Sequence, residues 1–193
     1  MMEHTLKCAA FLFDENLNVS NNNTNSFAKE IAHGVGFSSV LQYNSLAQVE
    51  KQSTQTPICF FLFEQVSDIS QLNKIMKQLR TCKRHNVRFF PLIYLCDFPS
   101  PEIITQCISM GFDDIITKPT DEVGVKKRLS MQLERPLTYY ETDGFFGPDR
   151  RRIAGKNQLK KTQQRGIEKC LQYKFERNTK EGISIISKTI EAA

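Results

Sequence analysis

Arg88-Phe89-Phe90-Pro91-Leu92-Ile93-Tyr94-Leu95-Cys96 is followed by Ser100-Pro101-Glu102, then by Ile104, Ile108 and Gly111, then by Asp114-Ile115-Ile116-Thr117. The first run is apolar throughout and too short for a buried helix, so it reads as a strand. Ser100 offers an N-cap, Pro101 the first helical position and Glu102 an acid in the first turn, and together they start a helix. Gly111 ends that helix, and Asp114–Thr117 is a second strand. Two apolar strands joined through a helix form a βαβ unit, whose strands run parallel and are covered on both faces.

Working outward, the same alternation recurs. Leu6–Phe13 is a short apolar strand, and the asparagine-rich stretch Asn16–Asn25 is a loop. Phe27, Ile31 and Val35 recur every fourth residue as the stripe of an amphipathic helix that stops near Gly34 and Gly36. Ser39–Gln42 is a second strand, and Ser45 with Gln48 makes a capping box for a helix carrying Leu46 and Val49. Ile58–Phe63 is a third strand; Ile69, Leu72, Met76 and Leu79 mark a helix, as do Val125, Leu129 and Leu133. Five such units predict an α/β fold, a doubly wound five-stranded parallel sheet ending near Leu133. The expected organisation is a domain over 1–135, an aromatic and basic linker over 136–156, and a C-terminal extension over 157–193 built from short helices.

Composition sets limits on function. The chain has 193 residues, 40% hydrophobic and 24% charged, which argues against wholesale disorder. No apolar run reaches the length of a bilayer span and no secretory signal opens the chain, so a cytoplasmic protein without membrane contact is expected. The net charge of +5 is uneven: residues 144–193 carry twelve Lys/Arg against five Asp/Glu, while the remainder is slightly acidic. Six cysteines are scattered without a C-x-x-C pair, which favours buried thiols over a zinc site or disulfides. His4, His33 and His85 lack triad-like context, and Gly34-Val35-Gly36 follows a helix rather than a strand, so neither nucleophilic catalysis nor a nucleotide loop is expected.

In a doubly wound sheet the ligand crevice lies outside the carboxyl ends of the strands. There the sequence places Asp14-Glu15, Phe63-Glu64, Cys96-Asp97 and Thr117-Lys118-Pro119. Carboxylates suit Mg²⁺ and an ammonium suits a phosphate, so these ends form a candidate cation and phosphoryl site. The competing reading is that acidic loop residues only solvate the end of a sheet.

Gly111-Phe112-Asp113-Asp114-Ile115-Ile116-Thr117-Lys118-Pro119 followed by Arg128-Leu129, Phe13-Asp14-Glu15-Asn16 and Pro91-Leu92-Ile93-Tyr94-Leu95 resemble the receiver domain of bacterial two-component response regulators over residues 6–134. The resemblance implies a flavodoxin-like fold. It also implies phosphoryl transfer from a histidine kinase to an aspartate ending the third strand, with Mg²⁺ held by that aspartate and an acidic pair. Asp14 and Glu15 match the pair and would hold the Mg²⁺. Lys118 matches the phosphate-contacting lysine, and Lys118–Pro119 is a candidate cis peptide. The departures fall on the switch: Phe63, or with a one-residue slip Glu64, stands at the acceptor position, Cys96 at the Thr/Ser position and Ile115 at the switch aromatic.

Three functions follow as expectations. The first is an atypical receiver, not an enzyme, that relays signals by contact with a histidine kinase, an output protein or a second copy, independently of aspartyl phosphorylation. In one form of it the domain is kept only for its surfaces; in another, Glu64 reaches Lys118 and the pair imitates a phosphorylated site. The second is a phosphate-dependent nucleic-acid or nucleotide binder using Arg150, Arg151 and Arg152 of the segment Gly147-Pro148-Asp149-Arg150-Arg151-Arg152, which is similar to extensions seen after signalling domains. The third is a phosphorelay receiver with Glu64 as acceptor. The aromatics Tyr139, Tyr140, Phe145 and Phe146 are expected to pack the tail back on the domain. Ile167, Leu171 and Phe175, and then Ile183, Ile186 and Ile190, read as stripes of the two short helices.

Overall fold

A computed structural model describes residues 6–13, 26–149 and 170–191. The apolar runs form one all-parallel sheet from β1 (Leu6–Phe13), β2 (Phe37–Gln42), β3 (Cys59–Glu64), β4 (Leu92–Cys96) and β5 (Asp114–Thr117), in the order β2-β1-β3-β4-β5. This is the α/β, five-stranded parallel sheet that the alternation predicts, in an order consistent with the flavodoxin-like fold that the resemblance implies. Cys59 to Phe63 and Leu92 to Leu95 are shut off from solvent, as strands covered on both faces must be.

The helices are α1 (Phe27–Val35), α2 (Leu46–Gln52), α3 (Asn73–Arg80, entered through a 3-10 turn at Ile69–Leu72), α4 (His85–Arg88), α5 (Pro101–Met110) and α6 (Glu122–Ser130). Their starts follow the sequence signals. The hydroxyls of Ser26, Ser45 and Ser100 accept from Lys29, Gln48 and Ile103 backbone N–H groups, and Gly111 ends α5 at φ 84°. One boundary differs: the strand expected from Arg88 begins only at Leu92, because 85–88 make the turn of α4 and Phe89 leaves the sheet for a second core.

The C-terminal region corrects the expectation of short helices. β6 (Pro136–Thr142), β7 (Phe145–Pro148), β8 (Cys170–Asn178) and β9 (Gly182–Glu191) form an antiparallel sheet in the order β7-β6-β8-β9. Leu171, Tyr173, Phe175 and Arg177 alternate with Gln172, Lys174, Glu176 and Asn178, a period of two that sends Tyr173, Phe175 and Arg177 inward. The stretch expected as a linker therefore supplies a hairpin over 136–148. Asn16–Asn25, Asp14, Glu15, Arg150, Arg151, Arg152 and Ile167 lie outside the described residues.

The two sheets share an interior. Phe89 meets Phe175 at 4.6 Å between ring centroids and Phe146 at 5.0 Å, and Tyr139 meets Phe175 at 4.8 Å. Tyr139 and Phe146 thus pack the tail back on the body, as expected. Beside them lies a buried charged group. Asp113 Oδ2 accepts from Arg80 Nη2 and from Leu92 N, both at 2.8 Å. Asp113 Oδ1 accepts from Arg177 Nη2 at 2.8 Å and from the Tyr139 hydroxyl. Arg177 also donates to the Phe89 carbonyl at 2.7 Å and to Gln132 Oε1 at 3.1 Å. Gly111 and Gly147 meet backbone to backbone: a Cβ at Gly147 would come within 2.9 Å of Gly111 Cα.

Candidate functional site

β3, β4 and β5 end together at a cleft of about 290 Å³ whose walls include Phe27, Glu64, Gln65, Cys96, Asp97 and Lys118. The strand register creates it: Glu64 lies opposite Leu95, and Cys96 opposite Thr117, so the residues just past each strand converge. Lys118 follows β5 directly, and its bond to Pro119 is cis.

β-strand alternation separates Phe63 from Glu64. Phe63 points into the core, 5.6 Å from the Phe13 ring and 5.3 Å from the Phe112 ring. Glu64 points to the cleft and to the start of α1. There Oε1 accepts from Phe27 N at 2.9 Å and Oε2 from the Ser26 hydroxyl. A helix N-terminus leaves unpaired N–H groups and a partial positive charge, and the Glu64 carboxylate satisfies both. Both of its oxygens are engaged.

The pairing of Glu64 with Lys118 is therefore not formed. Lys118 Nζ lies 3.3 Å from Asp97 Oδ1 and 4.4 Å from the centroid of the Phe27 ring. The Lys118 and Asp97 side chains are 43% and 57% exposed, and a pair so open to water adds at most about 1 kcal/mol. The loop carrying Asp97 is fixed instead by its backbone, whose N–H donates to Gln65 Oε1 at 3.0 Å.

Cys96 is buried, and burial, with a smaller contribution from Asp97, pushes its thiol up to about 11. It stays protonated at neutral pH and is a poor nucleophile. Five of the six cysteines are buried, in line with the expectation of thiols packed as small apolar groups. Ile115 is partly buried against the core, opposite Tyr94, with its backbone carbonyl accepting from Arg128 Nη2 at 2.8 Å.

The structure thus brings Glu64, Cys96 and Lys118 into one cleft and removes Phe63 from it. Among the described residues no group of three or more His, Cys, Asp or Glu is placed to hold a metal ion; Glu64 is turned to α1, and the expected Mg²⁺ ligands Asp14 and Glu15 lie outside the described residues. Sequence reasoning missed the part played by Ser26 and Phe27, although a serine before the first apolar residue of a helical stripe is an N-cap signal. Among the described residues, no helix is long and apolar enough to cross a membrane. No protein-family model matches the chain, and no curated protein matches it.

Proposed function

We propose that the chain is a non-enzymatic signalling module, an atypical receiver-like protein of the bacterial cytoplasm that acts through protein–protein contact without phosphorylation of an aspartate. The observation that carries this reading is the state of Glu64. It is the carboxylate that ends β3 and faces the lysine-bearing cleft, and both its oxygens are already bound, one by Ser26 at the N-cap of α1 and one by the Phe27 N–H. A phosphoryl acceptor must offer a free oxygen; this one serves as a helix cap. The cleft keeps a lysine and a neighbouring acid, but they close on each other at its rim. What such a module retains is a rigid α/β body with surfaces for a histidine kinase or an output protein.

Incubation of the full chain with acetyl phosphate and Mg²⁺, followed by intact-mass measurement, tests the reading. No mass gain is expected, and binding to a signalling partner should persist unchanged with the phosphodonor present. A gain of one phosphoryl group that disappears in Glu64→Gln would overturn it. The excess of positive charge over residues 144–193 supports the second reading, a nucleic-acid or nucleotide binder. That reading predicts affinity for a polyanion that falls steeply with salt.

A further inference from the structure

The four sheet edges are unequal. The parallel sheet ends on β2 and β5, of six and four residues. The antiparallel sheet ends on β7, four residues lying against α5 through the Gly147–Gly111 contact, and on β9, ten residues with no strand beyond it among the described residues. An unpaired edge is a template for another strand, and proteins shorten, charge or cover such edges. β9 is long, and three of the seven exposed large apolar side chains of the described residues lie on it: Ile185, Ile186 and Ile190, at 37%, 55% and 68% exposure. Its lysine, Lys188, is drawn back over its own sheet, 5.1 Å from the Tyr173 ring centroid.

We propose that β9 pairs antiparallel with β9 of a second copy of this chain, joining the two four-stranded sheets into one of eight strands. This rests on the edge itself and not on the signalling reading above. The pattern of β9 is what selects a second copy as occupant. Ile183, Ile185, Lys188 and Ile190 lie opposite Arg177, Phe175, Tyr173 and Leu171 and so share the inward face; Ser184, Ser187 and Thr189 share the other. Ile186 has no residue opposite it and forms a bulge.

A two-fold axis between Ile186 and Ser187 sets Ile183 of each copy opposite Ile190 of the other, Ser184 opposite Thr189, and Ile185 opposite Lys188. Each of these pairs joins residues of one face. A regular strand cannot do this in that register, because residues whose numbers sum to an odd value point to opposite faces. The bulge shifts the phase by one residue and makes the strand match its own reverse on both sides of the bulge. The resulting contact is isologous and closes on itself.

The test uses the full chain. Light scattering from low micromolar to about 1 mM should show the mass rising from 22.2 kDa towards twice that value. Hydrogen exchange over the same range should slow at amides of 182–191. Ile186→Lys places like charges beside the axis and should weaken dimerisation about tenfold with unchanged thermal melting. Ile190→Lys, further from the bulge, serves where Ile186→Lys melts early. A monomer at every concentration would leave the edge to an extended strand of another protein and overturn the proposal. So would a dimer whose β9 amides exchange as in the monomer, or folded lysine variants that dimerise as tightly as the native chain.

Discussion

Asp113 stands between two guanidinium groups with almost no access to water. Burial, the largest single influence, would raise its pKa, but the charges of Arg177 and Arg80 together with hydrogen bonds from Tyr139 and Arg177 outweigh it and hold the carboxyl down at about 2, against an ordinary value of 3.8. A carboxylate whose pKa is lower folded than unfolded stabilises the fold fully above the unfolded value and loses that contribution as pH falls through the folded one. The melting temperature should therefore drop between about pH 4 and pH 2. In Asp113→Asn that acid-sensitive fall should shrink. The same substitution leaves both arginines buried without their counter-charge and should cost about 3–5 kcal/mol in urea unfolding at neutral pH. Little of this was legible in the sequence. Arg80 and Arg177 lie 33 and 64 residues from Asp113, and nothing local marks an arginine as a core residue. Lys118 and Glu64 were legible because strand ends announce themselves; that Glu64 would serve α1 depended on where the fold sets Ser26 and Phe27 against β3.

Among the elements, the hairpin of β6 and β7 approaches the end of α5 at backbone distance. Gly111 could not take a side chain cheaply on two counts: its φ is 84°, and a Cβ would lie 2.9 Å from the Phe146 carbonyl. Gly147 needs only the space. Gly147→Ala should accordingly lower stability by about 1–3 kcal/mol, read as a fall in melting temperature. β1 to β5 were legible because continuous apolar runs bounded by caps leave few alternatives. β9 was misread for a physical reason. Ile183 and Ile190 sit on one face although seven residues apart, a spacing that suits a helix and that plain strand alternation forbids. The bulge at Ile186 produces it. In β8, Leu171 and Phe175 keep the four-residue spacing of a helical stripe, whereas Tyr173, Phe175 and Arg177 are buried at the period of two that the strand obeys.

At the scale of the whole molecule, the division after Arg135 in the sequence is not a division in the structure. Glu134, held at φ 51°, makes the turn between the sheets, and its carboxylate accepts from Thr179 N at 2.8 Å and from the Thr179 hydroxyl. Its backbone N–H donates to the Arg177 carbonyl at 2.9 Å. Residues beyond 135 thus supply Tyr139 and Arg177 to Asp113 and four of the five rings of the second core. A chain truncated at residue 135 should lose cooperative unfolding by calorimetry and bind a hydrophobic dye, while the full chain unfolds in one transition. The α/β architecture was legible from 6–133 alone; its dependence on the second sheet was not, because no residue of that stretch reveals what will cover Phe89.

The arginine that closes the interior from the far end, Arg177, has a bearing on genetics. A strain carrying an early stop codon after residue 135 would not simply lack an appendage; it would make a body with a hole in its wall. Any defect in such a strain would report lost folding or abundance, and missense changes on the outer surface of the tail would be the cleaner allele for asking what the tail itself does.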